Sequence, residues 1–286
     1  MEFKPLTKEN KSAYEAIYRA YPRLGADASF TTPFAWAGSF QTKLFLGEDA
    51  LCMEGTSRTG LPYYMMPLSS PPQMRLLQRL YDRCHALGIP FTLRWLQKED
   101  LPVLESLFPG KFSVQSPRDA AEYIYETSAL LTLSGKKLHA KRNHVNAFRA
   151  AYAYEIRHLS EENLSEALGF VLDHSNTADE KMAMERLFSV YTDFSLKGML
   201  LYVDGTLVGV TVGEEIGGET ALIHLEKADT AFTGAYAMVN QLFVQNYFAH
   251  TRYINREEDM GIEGLRKAKL SYRPAFLLEK FTVSEA

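Results

Sequence analysis

The dipeptide Asp204-Gly205 stands between two apolar runs, residues 199–203 and 207–212, and constrains the fold more than any other short stretch. A two-residue connection with both central residues at positive φ matches the right-handed twist of paired strands, and Asp-Gly adopts it readily. The spacing therefore predicts an antiparallel hairpin. Around it the pattern changes period. Residues 161–173 and 180–194 read as helices, with Ser160 and Asp179 as N-caps. Residues 220–227 form a third strand, 234–250 a long amphipathic helix and 252–255 a short strand. Residues 261–269 form a small helix and 276–283 a closing strand.

The first half has a similar coarse order. Tyr14, Ile17, Tyr18 and Tyr21 recur at helical spacing before Pro22, and residues 42–46, 50–54 and 61–66 read as a meander broken by glycines. Residues 71–87 form a helix with Leu76, Leu77, Leu80 and Leu87 inward. Residues 91–96 form a strand, 99–108 a helix and 121–126 a strand. An α+β fold of two domains is expected, each a mixed, mostly antiparallel sheet flanked by helices. The expected division is 1–134, a connecting helix over 135–152, and 153–286.

The 286 residues carry 31 Lys and Arg against 35 Asp and Glu, a net charge of -4, so nucleic-acid contact requires a local basic patch and a DNA-coating role is excluded. Cys52 and Cys84 are far apart, which argues against a disulfide framework or a cysteine-rich zinc site. No run of about 18 apolar residues and no leader-like N-terminus is present. A cytoplasmic protein without a transmembrane segment is expected.

Charge interrupts two helical stripes. In GKKLHAKRNHVNAFRAAY from Gly135, Leu138, Val145, Phe148 and Tyr152 form an apolar seam, and Lys141 and Arg142 occupy the turn that should complete it. These cations either snorkel outward or meet an anion. On the adjacent face His139, Asn143 and Asn146 are spaced for a hydrogen-bonded network, with Asn143 and Asn146 as candidate ligand contacts. In NREEDMGIEGLRKAKLSYRP from Asn255, the stripe Ile262, Leu265, Lys269 and Tyr272 again contains a lysine. Gly261 and Gly264 open that helix after Asp259, leaving backbone N-H groups for an anion or for the Asp259 carboxylate. Lys141, Arg142, Asn143, Asn146, Asn255, Gly261, Gly264, Arg266 and Lys269 are the candidate substrate or anion ligands. The ends of Lys141 or Arg142 and of Arg266 or Lys269 are expected to meet in one cleft between the halves, within roughly 10 Å.

Strand alternation puts His224 and Glu226 on one face about 7 Å apart, as an acid-base pair or as decoration of a half-exposed sheet. Gly209, Thr211 and Gly213 make a neighbouring face thin enough for a ligand to approach the backbone. Tyr272 adds a hydroxyl, and Glu226, His224, Glu257, Asp259 and Tyr272 are the candidate catalytic residues. The spacings of a P-loop, a nucleophile elbow and a helical His pair for a metal are all missing, and no metal is expected.

The strings Tyr123-Ile-Tyr125, GKKLHAKRNHVNAF, HLEKAD from His224, and NREEDMGIEGLRKAKLSYRP resemble the C-terminal domain of bacterial phosphatidylglycerol lysyltransferases and its small stand-alone relatives. The resemblance covers nearly the whole chain. It implies two tandem GNAT-type acyltransferase folds, related to the aminoacyl-tRNA-dependent peptidoglycan bridge enzymes. In the full-length enzymes this domain moves an amino acid from charged tRNA to a lipid headgroup and follows a membrane flippase domain. That membrane domain is missing from the sequence, so the acceptor is expected to be a small molecule or a membrane-surface group met transiently. The resemblance implies aminoacyl-tRNA as donor; its 3' end needs cations, which Lys141, Arg142, Arg266 and Lys269 could supply, and its amino group needs acceptors, which Glu226, Glu257 and Asp259 could supply. The GNAT coenzyme A loop, Arg/Gln-x-x-Gly-x-Gly/Ala, here reads Ala231-Phe-Thr-Gly234-Ala-Tyr236, so coenzyme A is disfavoured as cofactor. A coenzyme A-dependent N-acyltransferase and a non-catalytic ligand-binding module are the alternatives.

Overall fold

The computed structural model describes residues 1–69 and 73–285, with the side chain of residue 73 left out. Pro71 and Pro72, the expected start of a helix, lie outside the described residues. The chain divides into two compact units, Met1–Ala121 with Leu278–Ala286, and Glu122–Leu277.

In the first unit, helix α1 (Lys11–Ala20) buries Tyr14, Ile17 and Tyr18, the stripe read from the sequence. The short helices α2 (Thr31–Ala35) and α3 (Ala37–Phe40) follow. Strands β1 (Lys4–Pro5), β2 (Lys43–Leu46), β3 (Ala50–Thr56) and β4 (Pro62–Met65) form an antiparallel run, and β5 (Leu68–Ser69) pairs with β3. Helix α4 (Gln73–Leu87) crosses to β6 (Thr92–Leu96), which lies parallel to β4. Helix α5 (Leu101–Leu107) and edge strand β7 (Phe112–Gln115) follow. Leu77, Leu80, Phe91, Leu93 and Leu96 are fully buried in this unit's core.

The second unit repeats the plan. β8 (Glu122–Glu126), α6 (Thr127–Thr132), α7 (His139–Ala151) and β9 (Tyr154–His158) lead into α8 (Leu164–Asp173) and α9 (Ala178–Ser189). The hairpin β10 (Lys197–Val203) and β11 (Thr206–Ile216) turns on Asp204 at φ 48° and Gly205 at φ 80°, as the sequence predicts. β12 (Thr220–Ala228), α10 (Ala235–Tyr247) and β13 (Tyr253–Glu258) form a strand-helix-strand unit whose strands are parallel. α11 (Glu263–Leu270) and β14 (Phe276–Leu278) complete the unit, and the sheet order is β14-β8-β13-β12-β11-β10-β9.

Several local expectations shift for identifiable reasons. The N-cap of α9 is Thr177, whose extended backbone lets Oγ1 accept from the Glu180 N-H at 3.1 Å, so that Asp179 falls inside the first turn. α8 begins at Leu164, after Asn163 rather than Ser160. The single closing strand is two. After β14 the chain leaves the second sheet, and β15 (Phe281–Glu285) enters the first between β6 and β7. Buried Lys280, paired with Asp27 at 2.5 Å, fixes that return. The segment expected to connect the domains lies inside the second unit, because β8 pairs with β13 and α7 packs on α10.

Gly209, Thr211 and Gly213 do not open a face to ligand. A Cβ on Gly209 would meet Val239 Cγ2 of α10 at 2.5 Å, and one on Gly213 would meet the Leu222 carbonyl at 2.5 Å. The thin face admits α10, which buries nine residues from Ala235 to Val244.

Candidate functional site

Parallel β12 and β13 pair only at Thr220, Ala221 and Leu222 against Tyr253, Ile254 and Asn255, although both strands run further. Side chains link them beyond that point. Arg256 Nη2 donates to Glu226 Oε1 at 2.5 Å, and Asn240 Nδ2 from α10 donates to Glu226 Oε2 at 2.9 Å. The carboxyl ends of parallel strands in α/β sheets commonly hold ligands. Two buried polar atoms here have no hydrogen-bond partner, the donor Arg256 Nη1 and the acceptor Asn240 Oδ1. A buried unsatisfied polar atom is costly, so such a pair marks a place where a ligand gains.

Lys141 of α7 reaches the same place. Its Nζ lies 4.3 Å from the centroid of the Tyr272 ring, and the Arg256 guanidinium lies 4.7 Å from the same centroid. Among the described residues Lys141 makes no hydrogen bond or ion pair, and burial, then the Arg256 charge, lower its pKa while Glu226 opposes them. The Arg256 pKa is raised: burial works against the charge, and Glu226, Tyr125 and Tyr272 together more than offset it. Burial pushes the Tyr272 hydroxyl up to about 12, so it is a proton donor at neutral pH.

The other predicted residues are engaged differently. Arg266 forms a two-bond pair with Asp259, at 2.8 and 2.9 Å, and Asp259 also accepts from Tyr123 Oη at 2.5 Å and the Gly261 N-H at 2.9 Å. Arg266 foremost among these donors, against burial, holds the Asp259 carboxyl well below the usual range. Of the two partners expected for the Gly261 N-H, an anion or the Asp259 carboxylate, the carboxylate takes it, and a Cβ on Gly264 would meet only open space. α11 starts at Glu263 rather than Gly261, because Met260 and Gly261 are both at positive φ. Buried Lys269 donates to three backbone carbonyls, of Arg256, Glu257 and Glu258, at 2.5, 3.2 and 2.5 Å. Arg142 Nη1 donates to the Leu133 carbonyl at 2.6 Å, closing the end of α6. Asn143 touches His139 on the exposed face, and Asn146 is exposed as well. Lys141 meets Arg256 over the Tyr272 ring, and Lys141, Arg142, Arg266 and Lys269 all belong to the second unit, so they do not line the cleft between the halves expected from the sequence.

His224 and Glu226 do not pair with each other. His224 Nε2 lies 3.0 Å from Glu214 Oε1, and its Nδ1 lies 3.6 Å from Glu257 Oε1. Burial lowers the imidazole pKa, but the two carboxylates outweigh it and raise it to about 9, so His224 is a cation at neutral pH rather than a base. Fully buried Asn255 donates to Glu122 Oε2 at 2.5 Å and accepts from the Glu257 N-H at 2.8 Å, which makes it a strut of β13. Among the described residues no group of three His, Cys, Asp or Glu side chains could hold a metal ion.

Arg256 and Asn240 are the functional candidates that sequence reasoning missed. Asn240 carried a signal, a polar residue inside the apolar run AYAMVNQLFV. Arg256 carried none beyond its charge, since its partner lies on another strand.

Gly234, the one match to the coenzyme A loop, has φ 89°, and a Cβ there would lie 2.3 Å from the His144 carbonyl of α7. Close approach of α7 to the start of α10 accounts for this glycine.

Two sheets, each with a helix-crossed parallel pair, define a tandem GNAT-type acyltransferase fold. A tandem GNAT protein from the clavulanic acid biosynthesis pathway shares it, with a TM-score of 0.55 at 12% identity over 99% of this chain and 98% of that one. Residues 18–284 match the family described as phosphatidylglycerol lysyltransferase, C-terminal, and the chain belongs to that family. L-PGS from Bacillus licheniformis superposes with a TM-score of 0.71 at 14% identity, over 99% of this chain and 93% of that one. A conserved protein of unknown function from Bacteroides thetaiotaomicron VPI-5482 superposes with a TM-score of 0.94 at 33% identity, over 100% of both chains. The chain spans 59% of the length of a curated relative, an uncharacterized Mycoplasmoides gallisepticum protein 27% identical over 184 residues and 61% of this chain. Among the described residues no helix is long and apolar enough to cross a membrane.

Proposed function

We propose that the protein transfers an aminoacyl group from aminoacyl-tRNA to an acceptor hydroxyl or amine, in a small molecule or at a membrane surface. The observation that carries this reading is the pairing of Lys141 and Arg256 on one Tyr272 ring, with Arg256 Nη1 and Asn240 Oδ1 left unsatisfied beside them. An aminoacyl ester offers an ester oxygen and nearby phosphates to donors and an α-ammonium to acceptors. Arg256 and Lys141 suit the first, Asn240 and Glu226 the second. The acceptor's lone pair forms the new bond to the acyl carbon, the bond to the ribose oxygen breaks, and the acceptor's proton ends on that ribose hydroxyl. Cationic donors stabilise the oxyanion formed on the way.

Charge distribution supports a polyanionic donor. Residues 127–154 contain no Asp or Glu and carry Lys136, Lys137, Lys141, Arg142 and Arg149, of which Lys136, Lys137 and Arg149 are exposed. Such a strip in a chain of net charge -4 suits the RNA backbone. Incubated with a charged tRNA pool and cell extract, the protein should discharge tRNA, and Arg256→Met should abolish the discharge. Failure to discharge any aminoacyl-tRNA, or micromolar binding of acetyl-CoA by calorimetry, would overturn the reading.

A further inference from the structure

The end of β13 is held in a conformation that ordinary strand pairing cannot supply. Its register against β8 slips between Asn255 and Glu258, and Glu257 sits at φ 56°, a left-handed conformation that strains a non-glycine residue. Three successive carbonyls, of Arg256, Glu257 and Glu258, converge on the Lys269 ammonium, and its three N-H donors match them one for one. Lys269 is 8% exposed, and its own carbonyl accepts from Tyr125 Oη at 2.9 Å, so β8 fixes it from the other side. Burying an ammonium without a carboxylate bonded to it is expensive, and an apolar side chain of similar size commonly gives equal or better stability. Packing alone therefore does not account for it.

We propose that Lys269 is a positioning residue: it fixes the kinked backbone of β13 so that Arg256 presents Nη1 beside Tyr272 and Lys141. The inference rests on reading Arg256 and Lys141 as the anion-binding pair. It makes Lys269 act through Arg256 and removes it from contact with substrate. The charged and titratable groups facing its ammonium are Arg256, Glu257 and Glu258 of β13, Glu226 of β12, and Tyr123 of β8. Burial first, and then the Arg256 charge, bring its pKa down to about 8 against the carboxylates, so the clamp weakens in mildly alkaline solution.

The test is phosphate binding by calorimetry, with inorganic phosphate as probe, on the full chain from pH 7.5 to pH 10. Arg256→Met should weaken binding roughly tenfold or more, as the loss of a charge-assisted bond requires, and Lys269→Met should do the same. The double variant should lose no more than either single one, because both changes remove one function. In the native chain, binding should fall as pH rises through about 8, and Lys269→Arg, which stays charged, should move that fall to higher pH. Additive losses, or an alkaline fall unchanged in Lys269→Arg, overturn the positioning role while the anion site stands. Phosphate binding indifferent to Arg256→Met overturns the anion site and the positioning role together.

Discussion

Replacing Gly234 with Ala tests whether the approach of α7 to α10 builds the site. The new Cβ would lie 2.3 Å from the His144 carbonyl and 3.1 Å from its carbon, both backbone atoms of α7, so no side-chain rotation relieves the overlap. At φ 89° an L-residue adds strain of about 1 kcal/mol. Overpacking of a tight contact costs about 1–3 kcal/mol, so the total is about 3 kcal/mol. At about 2–4 °C per kcal/mol for a unit of this size, the thermal midpoint should drop by about 6–12 °C. Scanning calorimetry on wild type and Gly234→Ala measures it, with phosphate titration alongside, since displacement of α7 moves Lys141. A drop below about 2 °C with unchanged phosphate affinity would refute the claim that this glycine exists for helix packing.

Lys141→Met should weaken phosphate binding while leaving the thermal midpoint equal or higher, because an unpaired half-buried ammonium beside Arg256 is replaced by an apolar chain of similar length. His224, with its pKa raised to about 9, contributes stability that is full below about pH 6.5, its unfolded value, and is lost as pH rises through about 9. That amounts to a few kcal/mol at about 1.4 kcal/mol per unit. Urea midpoints of His224→Gln should lack that alkaline loss relative to wild type. The depressed carboxyl of Asp259 contributes stability above the ordinary carboxylate range that disappears as the solution is acidified below it. Asp259→Asn should therefore flatten the fall in thermal midpoint on acidification from about pH 5 to pH 2, and should cost more at neutral pH than Arg266→Met, because Tyr123 and Gly261 also bond to Asp259.

Much of the candidate site was legible as residues and little of it as geometry. The interrupted stripes did single out Lys141 and Lys269, yet their roles diverged once partners were in place. Lys141 lies against an aromatic ring, whereas Lys269 lies under three carbonyls. A one-dimensional pattern shows that a cation interrupts an apolar seam. It does not show whether an anion, a ring or a kinked backbone meets that cation, since each partner comes from a distant part of the chain. The His224 and Glu226 alternation was read on a single strand, but β13 and β11 decide what each side chain bonds.

The sequence by itself determined the elements whose signals are local. Asp204-Gly205 required a hairpin because its residues adopt positive φ readily, and the stripe of α1 required a buried face because its apolar residues recur at helical spacing. Tertiary structure alone decided where the chain divides, because pairing of β8 with β13 and packing of α7 on α10 join distant segments. It also decided that β14 and β15 belong to different sheets, through the edges they meet. The site belongs to this second class: Arg256, Glu226, Asn240, Lys141 and Tyr272 come from β13, β12, α10, α7 and the segment after α11, and their chemistry arises only where the fold brings their charges together.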